Sequence, residues 1–105
     1  MATIVRATAV LVDGEFFVQA GSKARKSWFG DRSPKTHYWR LFDELVANGV
    51  LEDCGEFRRF KDDYKFSSTS AAGSIVTGRS TPGPTAWKLQ NSDKTYRDWE
   101  IEMLA

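Results

Sequence analysis

The chain has 105 residues, of which 41% are hydrophobic and 13% aromatic, so it encodes one folded domain rather than a disordered segment. Lysine and arginine number 15 against 14 aspartates and glutamates, and this net charge of +1 is far from the strongly basic profile that would demand nucleic acid. The single cysteine excludes an internal disulfide, and the absence of a signal-peptide core or an apolar run of roughly 20 residues leads us to expect a cytoplasmic protein.

The first part of the chain predicts a hairpin and a basic loop. Residues 3–12 are β-branched and apolar, which predicts a strand. Asp13-Gly14 predicts a two-residue turn into a return strand at residues 15–20. Residues 21–35 then form a long irregular loop with five basic side chains and one acidic side chain. Loops of this length in small domains are often functional.

A helix follows the loop. Ser33-Pro34 predicts its start, because serine caps a helix and proline fits the first turn. Asn48-Gly49 predicts its end. Between them, apolar residues recur at the spacing of a buried helix face: Tyr38, Leu41, Phe42, Leu45 and Val46.

Two strands are predicted after this helix. Val50-Leu51 begins a short one, and residues 57–66 return after a turn at residues 53–56. The charged run Lys61-Asp62-Asp63 interrupts the second strand as a bulge or a turn.

The last third predicts a small-residue helix, a short strand and a final element. Residues 70–77 form the helix, which Gly78 ends. Residues 86–90 follow a Pro/Gly loop as a strand, and residues 95–104 fit a capped helix, with a strand as the competing interpretation. The order β-β-α-β-β-α-β-α predicts an α+β domain with helices packed on a small antiparallel sheet.

The basic loop is the first candidate site. Four residues of it follow the end of a strand: Ser22, Lys23, Arg25 and Lys26. Trp28 and Phe29 come directly after them. Flexible cations can neutralise phosphates. Aromatic rings interleaved with them can stack on the exposed bases of a single strand or on a flipped base. The structural alternative is a solvated loop with Trp28 in the core.

The hydroxyl run before the small-residue helix is the second candidate site. Ser67, Ser68 and Ser70 lie beside helix-start amides, which attract anions. Helix capping is the alternative role of these hydroxyls, and one cap satisfies only part of the roughly four free amides. Arg79 and Trp87 follow and would add a cation and a stacking surface. The alternative for Trp87 is a buried packing role.

Reactive side chains elsewhere do not assemble a catalytic site. His37 is the only histidine, and zinc usually needs three or four ligands of the histidine and cysteine type. Cys54 lies in a turn between acids, without a basic neighbour in sequence to activate its thiol. Asp62-Asp63 fits a solvated turn better than a cation site. We therefore expect no metal, no cofactor and no enzymatic activity.

The chain resembles domain-of-unknown-function family 4357. The likeness rests on residues 63–72 (Asp-Tyr-Lys-Phe-Ser-Ser-Thr-Ser-Ala-Ala), on Gly78-Arg79-Ser80 and on Trp87-Lys88. Residues 17–25 and 45–51 are also similar to upstream parts of that family.

The family is often found at the C-terminal end of GIY-YIG endonuclease proteins and resembles the RAMA domain of restriction and methylation systems, for which DNA binding has been proposed. The resemblance therefore implies a nucleic-acid-associated accessory module without an activity of its own. Matching positions imply contacts at Ser22, Lys23, Arg25, Ser67, Ser68, Ser70, Arg79, Trp87 and Lys88. The chain departs from the family at Pro82-Gly83-Pro84, where Asn-Gly-Trp is usual, and these 105 residues contain no nuclease segment.

Two function classes follow. The leading hypothesis is a DNA-binding accessory domain in which residues 21–26, the helix start at residues 67–71 and Arg79 share one basic face. The alternative is a protein-interaction module, such as a subunit or inhibitor that docks on a nuclease or restriction complex. Its basis is the aromatic content together with the acidic segment at residues 41–64, which contains seven acidic and three basic side chains.

Overall fold

The computed structural model describes residues 1–4, 6–32 and 37–104. Their elements run in chain order as β1 (Ala2–Ile4), β2 (Ala7–Val12), β3 (Glu15–Val18), β4 (Lys23–Arg25), α1 (Tyr38–Ala47), β5 (Leu51–Cys54), β6 (Phe57–Phe60), β7 (Tyr64–Phe66), α2 (Thr69–Thr77), α3 (Gly83–Ala86), β8 (Lys88–Leu89) and α4 (Tyr96–Leu104). The α+β class is confirmed, but the strands form two antiparallel sheets instead of the one small sheet predicted.

The larger sheet has five strands in the order β7-β3-β2-β1-β8. The predicted continuous strand at residues 3–12 is wrong, because β1 folds back on β2 and Ile4 pairs with Ala7. A continuous strand would place these two buried residues on opposite faces, since side chains alternate along a strand. The reversal puts both on the core face. The Asp13-Gly14 turn is confirmed, with φ values of 51° and 80° at its two residues.

The smaller sheet has the order β4-β6-β5. Its strand β4 lies inside the segment predicted as a loop, where Lys23 pairs with Arg59 of β6. The predicted strand at residues 57–66 divides at the charged run 61–63, so that β6 belongs to this sheet and β7 to the larger one. The Asp63 carboxylate accepts a hydrogen bond from the Ala20 amide at 2.7 Å. This bond stabilises the segment that connects the smaller sheet to the larger one.

Helix α1 covers the smaller sheet with Phe42 and Leu45 buried, and the predicted apolar face is confirmed. The predicted opening at Ser33-Pro34 lies outside the described residues. Asn48 and Gly49 end the helix as predicted, with Gly49 at φ 83°.

Helix α2 lies at the centre of the molecule and contacts α1, α3, β4 and β7. Every residue from 71 to 76 is buried, so no side of the helix faces solvent. The Ser68 hydroxyl caps its start by accepting from the Ala71 amide at 3.0 Å. Gly78 ends it in the left-handed region at φ 74°. The predicted helix and both of its ends are confirmed.

The C-terminal elements are shorter and more exposed. The Pro/Gly segment, which was predicted as a loop, forms one turn of helix, α3. The strand predicted at residues 86–90 is shorter than expected, because β8 contains only Lys88 and Leu89. Residues 96–104 form a helix rather than the competing strand, and the Thr95 hydroxyl accepts from the Asp98 amide at 3.1 Å. None of the helices in the described ranges has the length and apolar character needed to cross a membrane.

Gly83 provides a direct test of the close contact between α2 and α3. Its amide donates to the Ser70 hydroxyl at 2.9 Å, and a Cβ here would overlap backbone atoms of Thr69 and Ser70. Gly83→Ala should therefore lower the free energy of unfolding by about 1–3 kcal/mol, the usual cost of overpacking. Thr85→Ala on the exposed side of α3 is the control and should stay within about 0.5 kcal/mol. Equal urea midpoints for the two variants would contradict this packing.

Candidate nucleic-acid interface

A basic groove lies between β4, β6 and the C-terminal end of α2. Its volume is about 360 Å³, and it is lined by Arg6, Lys23, Ala24, Arg25, Phe29, Phe57, Val76, Thr77 and Arg79. All four charged residues in this lining are cations. We use "basic groove" below for this set of residues.

Strand pairing places two of the cations and one of the rings. Arg25 and Phe57 are direct partners across β4 and β6, and Lys23 lies two residues before Arg25, so all three side chains share one sheet face. The Lys23 amide also donates to the Arg6 carbonyl at 3.2 Å. This bond brings Arg6 beside β4 at the edge that does not pair with β6.

The C-terminal end of α2 positions the remaining ring, Phe29, and the remaining arginine, Arg79. The Gly78 carbonyl accepts from the amides of Phe29 and Gly30 at 3.0 and 3.2 Å, which brings this segment beside Arg79. A Cβ on Gly78 would lie 2.9 Å from the Cδ of Arg25 and would also be strained at this positive φ. Glycine at this position therefore both ends α2 and leaves room for the Arg25 side chain.

Each of the two rings in the basic groove contacts two cations. The Arg25 guanidinium carbon lies 3.7 Å from the Phe29 ring centroid, and that of Arg79 lies 5.6 Å away. Arg6 and Lys23 lie 4.7 and 5.4 Å from the Phe57 centroid. Cation–π attraction holds these groups in place, and a guanidinium that stacks on a ring keeps its in-plane N–H donors free for a ligand.

The charge of the basic groove is not neutralised. Within the described part of the chain, none of its four cations forms an ion pair, and the ion pairs that occur lie at other positions. Glu52 lies on the same sheet face, and Arg59 binds its carboxylate at 2.8 Å. The hydrogen bond to Glu52 and its charge raise the pKa of Arg59. Glu52 therefore has its own partner.

The structure brings three of the predicted site residues together: Lys23, Arg25 and Arg79. Lys26 turns away, because its ammonium group donates to the Gly55 carbonyl at 2.6 Å and pairs with Asp53 at 3.4 Å. The Gly55 amide and the Lys26 charge lower the pKa of the Asp53 carboxyl. Ser22 is buried, and its hydroxyl exchanges hydrogen bonds with the Thr8 backbone. Neither residue lines the basic groove, so the predicted ligand contacts of Lys26 and Ser22 lie outside it.

The hydroxyl run lies at the other end of α2 from Arg79. Nine helical residues span roughly 13 Å, so the predicted shared face of the basic loop and the helix start would have to extend over about this distance, and no residue of the hydroxyl run lines the basic groove. Ser68 caps α2, and Ser70 accepts from the Gly83 amide. Ser67 is exposed but lines a shallow pocket with the acids Glu15 and Glu100.

This second pocket does not favour an anion. Burial, and in second place the charge of Glu100, raises the pKa of Tyr96 in its wall. A phosphate would meet two carboxylates here and one lysine, Lys65, which is already paired with Glu15 at 3.3 Å.

Trp87 and Lys88 do not line the basic groove. Trp87 is 0% exposed, and its indole N–H donates to the Thr69 carbonyl at 2.9 Å. Its ring also meets Phe16 edge to face at 5.2 Å. Trp87 therefore has the buried packing role that the sequence analysis weighed against stacking, and no part of its ring reaches the surface. Lys88 is exposed on β8, one of the two edge strands of the larger sheet.

Arg6 and Phe57 are members of the basic groove that the sequence did not predict as site residues. Arg6 is a lone charge within the apolar run 3–12, which was the available indication that this run turns at the surface. Phe57 gave no comparable indication, because its position depends on pairing with β4. Of the aromatic pair after the loop, Trp28 is buried against Phe42, whereas Phe29 is 49% exposed.

The family model described as "Domain of unknown function (DUF4357)" matches residues 2–100. The chain belongs to this family. All residues of the basic groove fall within the matched range. No curated protein and no solved structure matches the chain. The description of the DUF4357 family assigns no activity, so the function has to be argued from the site itself.

The buried position of Trp87 predicts a stability effect. Trp87→Phe removes the donor to the Thr69 carbonyl and leaves a cavity under the first turn of α2, so we expect a loss of about 2–4 kcal/mol in the free energy of unfolding. The control is Phe29→Leu on the exposed ring, with an expected loss below about 1 kcal/mol. Urea unfolding followed by circular dichroism measures both. A Trp87 variant as stable as the control would contradict the buried role.

Proposed function

We propose that this protein is a non-catalytic accessory module that binds DNA through the phosphate backbone at the basic groove. The observation that carries the proposal is the convergence of Arg6, Lys23, Arg25 and Arg79 on one concave surface without a carboxylate partner among the described residues. These four side chains come from three separate segments of the chain, and the overall charge of +1 does not indicate that they converge.

Phosphate oxygens are the ligand that matches this arrangement. Three arginines supply planar sets of N–H donors that bind phosphate in a bidentate manner, and one lysine adds a point charge. Because the rings already hold these side chains, less side-chain entropy is lost on binding than from free arginines.

The lining of the basic groove favours binding over catalysis. It supplies cations, rings and small residues, and its one hydroxyl, that of Thr77, already donates to the Gly73 carbonyl at 2.9 Å. His37 and Cys54 do not belong to it. We therefore propose that any chemistry on the DNA belongs to a partner. The resemblance to modules of GIY-YIG nuclease and restriction systems supports a nuclease or a restriction-system protein as that partner.

The first test is the dependence of binding on salt and on groove charge. Four phosphate contacts predict that affinity for a short duplex falls about 150-fold between about 50 and 200 mM salt, with a log–log slope near about −3.6. Arg25→Glu combined with Arg79→Glu should weaken binding at least about tenfold and reduce that slope by about 2. Fluorescence anisotropy with a labelled duplex measures both quantities.

The matched control places the same charge change elsewhere. Lys88→Glu combined with Arg97→Glu alters two exposed cations on β8 and α4, outside the basic groove, and should leave affinity within about threefold. If both double variants lose affinity equally, binding follows net charge and the groove assignment fails. A flat salt dependence of the unmodified protein would reject the phosphate-binding function itself.

A second candidate function is protein docking through α4. None of its residues is buried, and Ile101, Met103 and Leu104 are each more than half exposed. Exposed apolar clusters of this kind are typical of interaction surfaces. This surface is separate from the basic groove, so one protein can serve both functions.

The two surfaces are separable by substitution. Ile101→Ser with Leu104→Ser should leave DNA affinity within about twofold, because neither residue lines the basic groove. A loss of DNA binding in this variant, with the fold intact by circular dichroism, would move the nucleic-acid site to α4.

A further inference from the structure

We infer that the occupant of the basic groove is an unpaired stretch of nucleic acid whose bases enter the groove, rather than the backbone of an intact duplex. This inference rests on the proposed function and adds the substrate class. Its basis is the combination of an apolar floor with a cationic rim.

The floor of the basic groove is apolar. Its exposed part comes from the rings of Phe29 and Phe57, and Val76 and the Ala24 backbone lie beneath them, each residue less than 5% exposed. A ligand that presented only phosphates would lose hydration over this floor without gaining a contact. A nucleobase gains from the same surface, because its faces are apolar and flat. Bases are available in this way only where they are unpaired, since a duplex keeps its bases stacked inside.

Phe29 and Arg25 form a platform suited to a base. The Arg25 guanidinium carbon lies 3.7 Å from the ring centroid, which is a stacking distance, and half of Phe29 remains exposed. Bases stack both on aromatic rings and on guanidinium planes. A base can therefore continue the stack while the in-plane donors of Arg25 reach a neighbouring phosphate.

The size of the basic groove points the same way. A volume of about 360 Å³ lies at the lower end of ordinary small-molecule sites, which span about 300–1,000 Å³. This space suits one or two nucleotides, whereas a duplex would rest on the rim and leave the floor uncovered. The two rings, each with two cations, indicate successive nucleotides of a strand rather than one free nucleotide.

The decisive comparison keeps the phosphates and removes the bases. Three probes of equal phosphate number per strand are titrated at about 50 mM salt: oligothymidine of about eight nucleotides, an abasic strand of the same length, and a blunt duplex. We expect oligothymidine to bind about 5- to 100-fold more tightly than the abasic strand, from the loss of one or two stacked bases. Thymidine monophosphate should bind far more weakly than the oligomer, because it offers one phosphate.

Ring substitutions then locate the bases. Phe29→Leu and Phe57→Leu should each lower affinity for oligothymidine about fivefold or more beyond any loss for the abasic strand, since the loss of the cation–π contacts acts on both probes and the loss of base stacking acts on oligothymidine alone. Phe17→Leu is the matched control, since Phe17 is a half-buried phenylalanine of β3 outside the basic groove. Its affinity for all probes should stay unchanged.

A further measurement needs no change at the rings. Cys54 is the single cysteine, is exposed, and is the direct partner of Phe57 across β5 and β6. An environment-sensitive fluorophore on this thiol should change its emission with oligothymidine and not with the abasic strand. No emission change at saturating oligothymidine would overturn the inference.

The outcomes separate this inference from the proposed function. Equal affinity for oligothymidine and the abasic strand, with the Arg25→Glu and Arg79→Glu effect retained, overturns base entry and leaves backbone binding in place. Binding of all probes without any effect of the arginine variants overturns the groove assignment itself. Tighter binding of the duplex than of oligothymidine also rejects the substrate class.

Discussion

The burial of residues 71–76 of α2 is the constraint on which the rest of the molecule depends. A helix enclosed by α1, α3, β4 and β7 has to consist of small and aliphatic residues, as Ala71 to Val76 do. It also has to satisfy its ends locally, which Ser68 and Gly78 do with a hydroxyl and a left-handed turn. The helix therefore separates the hydroxyl start from Arg79 by roughly 13 Å, and the hydroxyl start does not contribute to the lining of the basic groove.

The basic groove shows how a chain of near-zero net charge can still present a cationic surface. Among the described residues, five cations outside the groove are paired with carboxylates, so their charges are locally balanced. The four in the groove contact Phe29 and Phe57 instead, and these contacts fix their positions without neutralising them. The same rings provide apolar surface beside the charge. Held cations next to open ring faces are the composition that single-strand recognition uses.

The structural features that the sequence predicted correctly depend on interactions within short segments of the chain. Helix α2 was predictable because Ser68, Gly78 and the small residues between them act within one short segment, and the Asp13-Gly14 turn needs only its own two residues. Strand β4 was missed because three residues with two charges have no strand pattern of their own and depend on pairing with β6. The groove depends on the meeting of segments near residues 6, 24, 57 and 78, and a single sequence gives no information on which distant segments meet.

The central claim is that ligand binds at the C-terminal end of α2 and not at its start. Titration of isotope-labelled protein with oligothymidine, followed by amide chemical shifts, tests this directly. The account predicts the largest changes at β4, at Phe57 and at residues 76–79, with little change at Ser67–Ser70. The largest chemical-shift changes at Ser67–Ser70, with β4 unperturbed, would contradict this claim and would place the binding site at the start of α2.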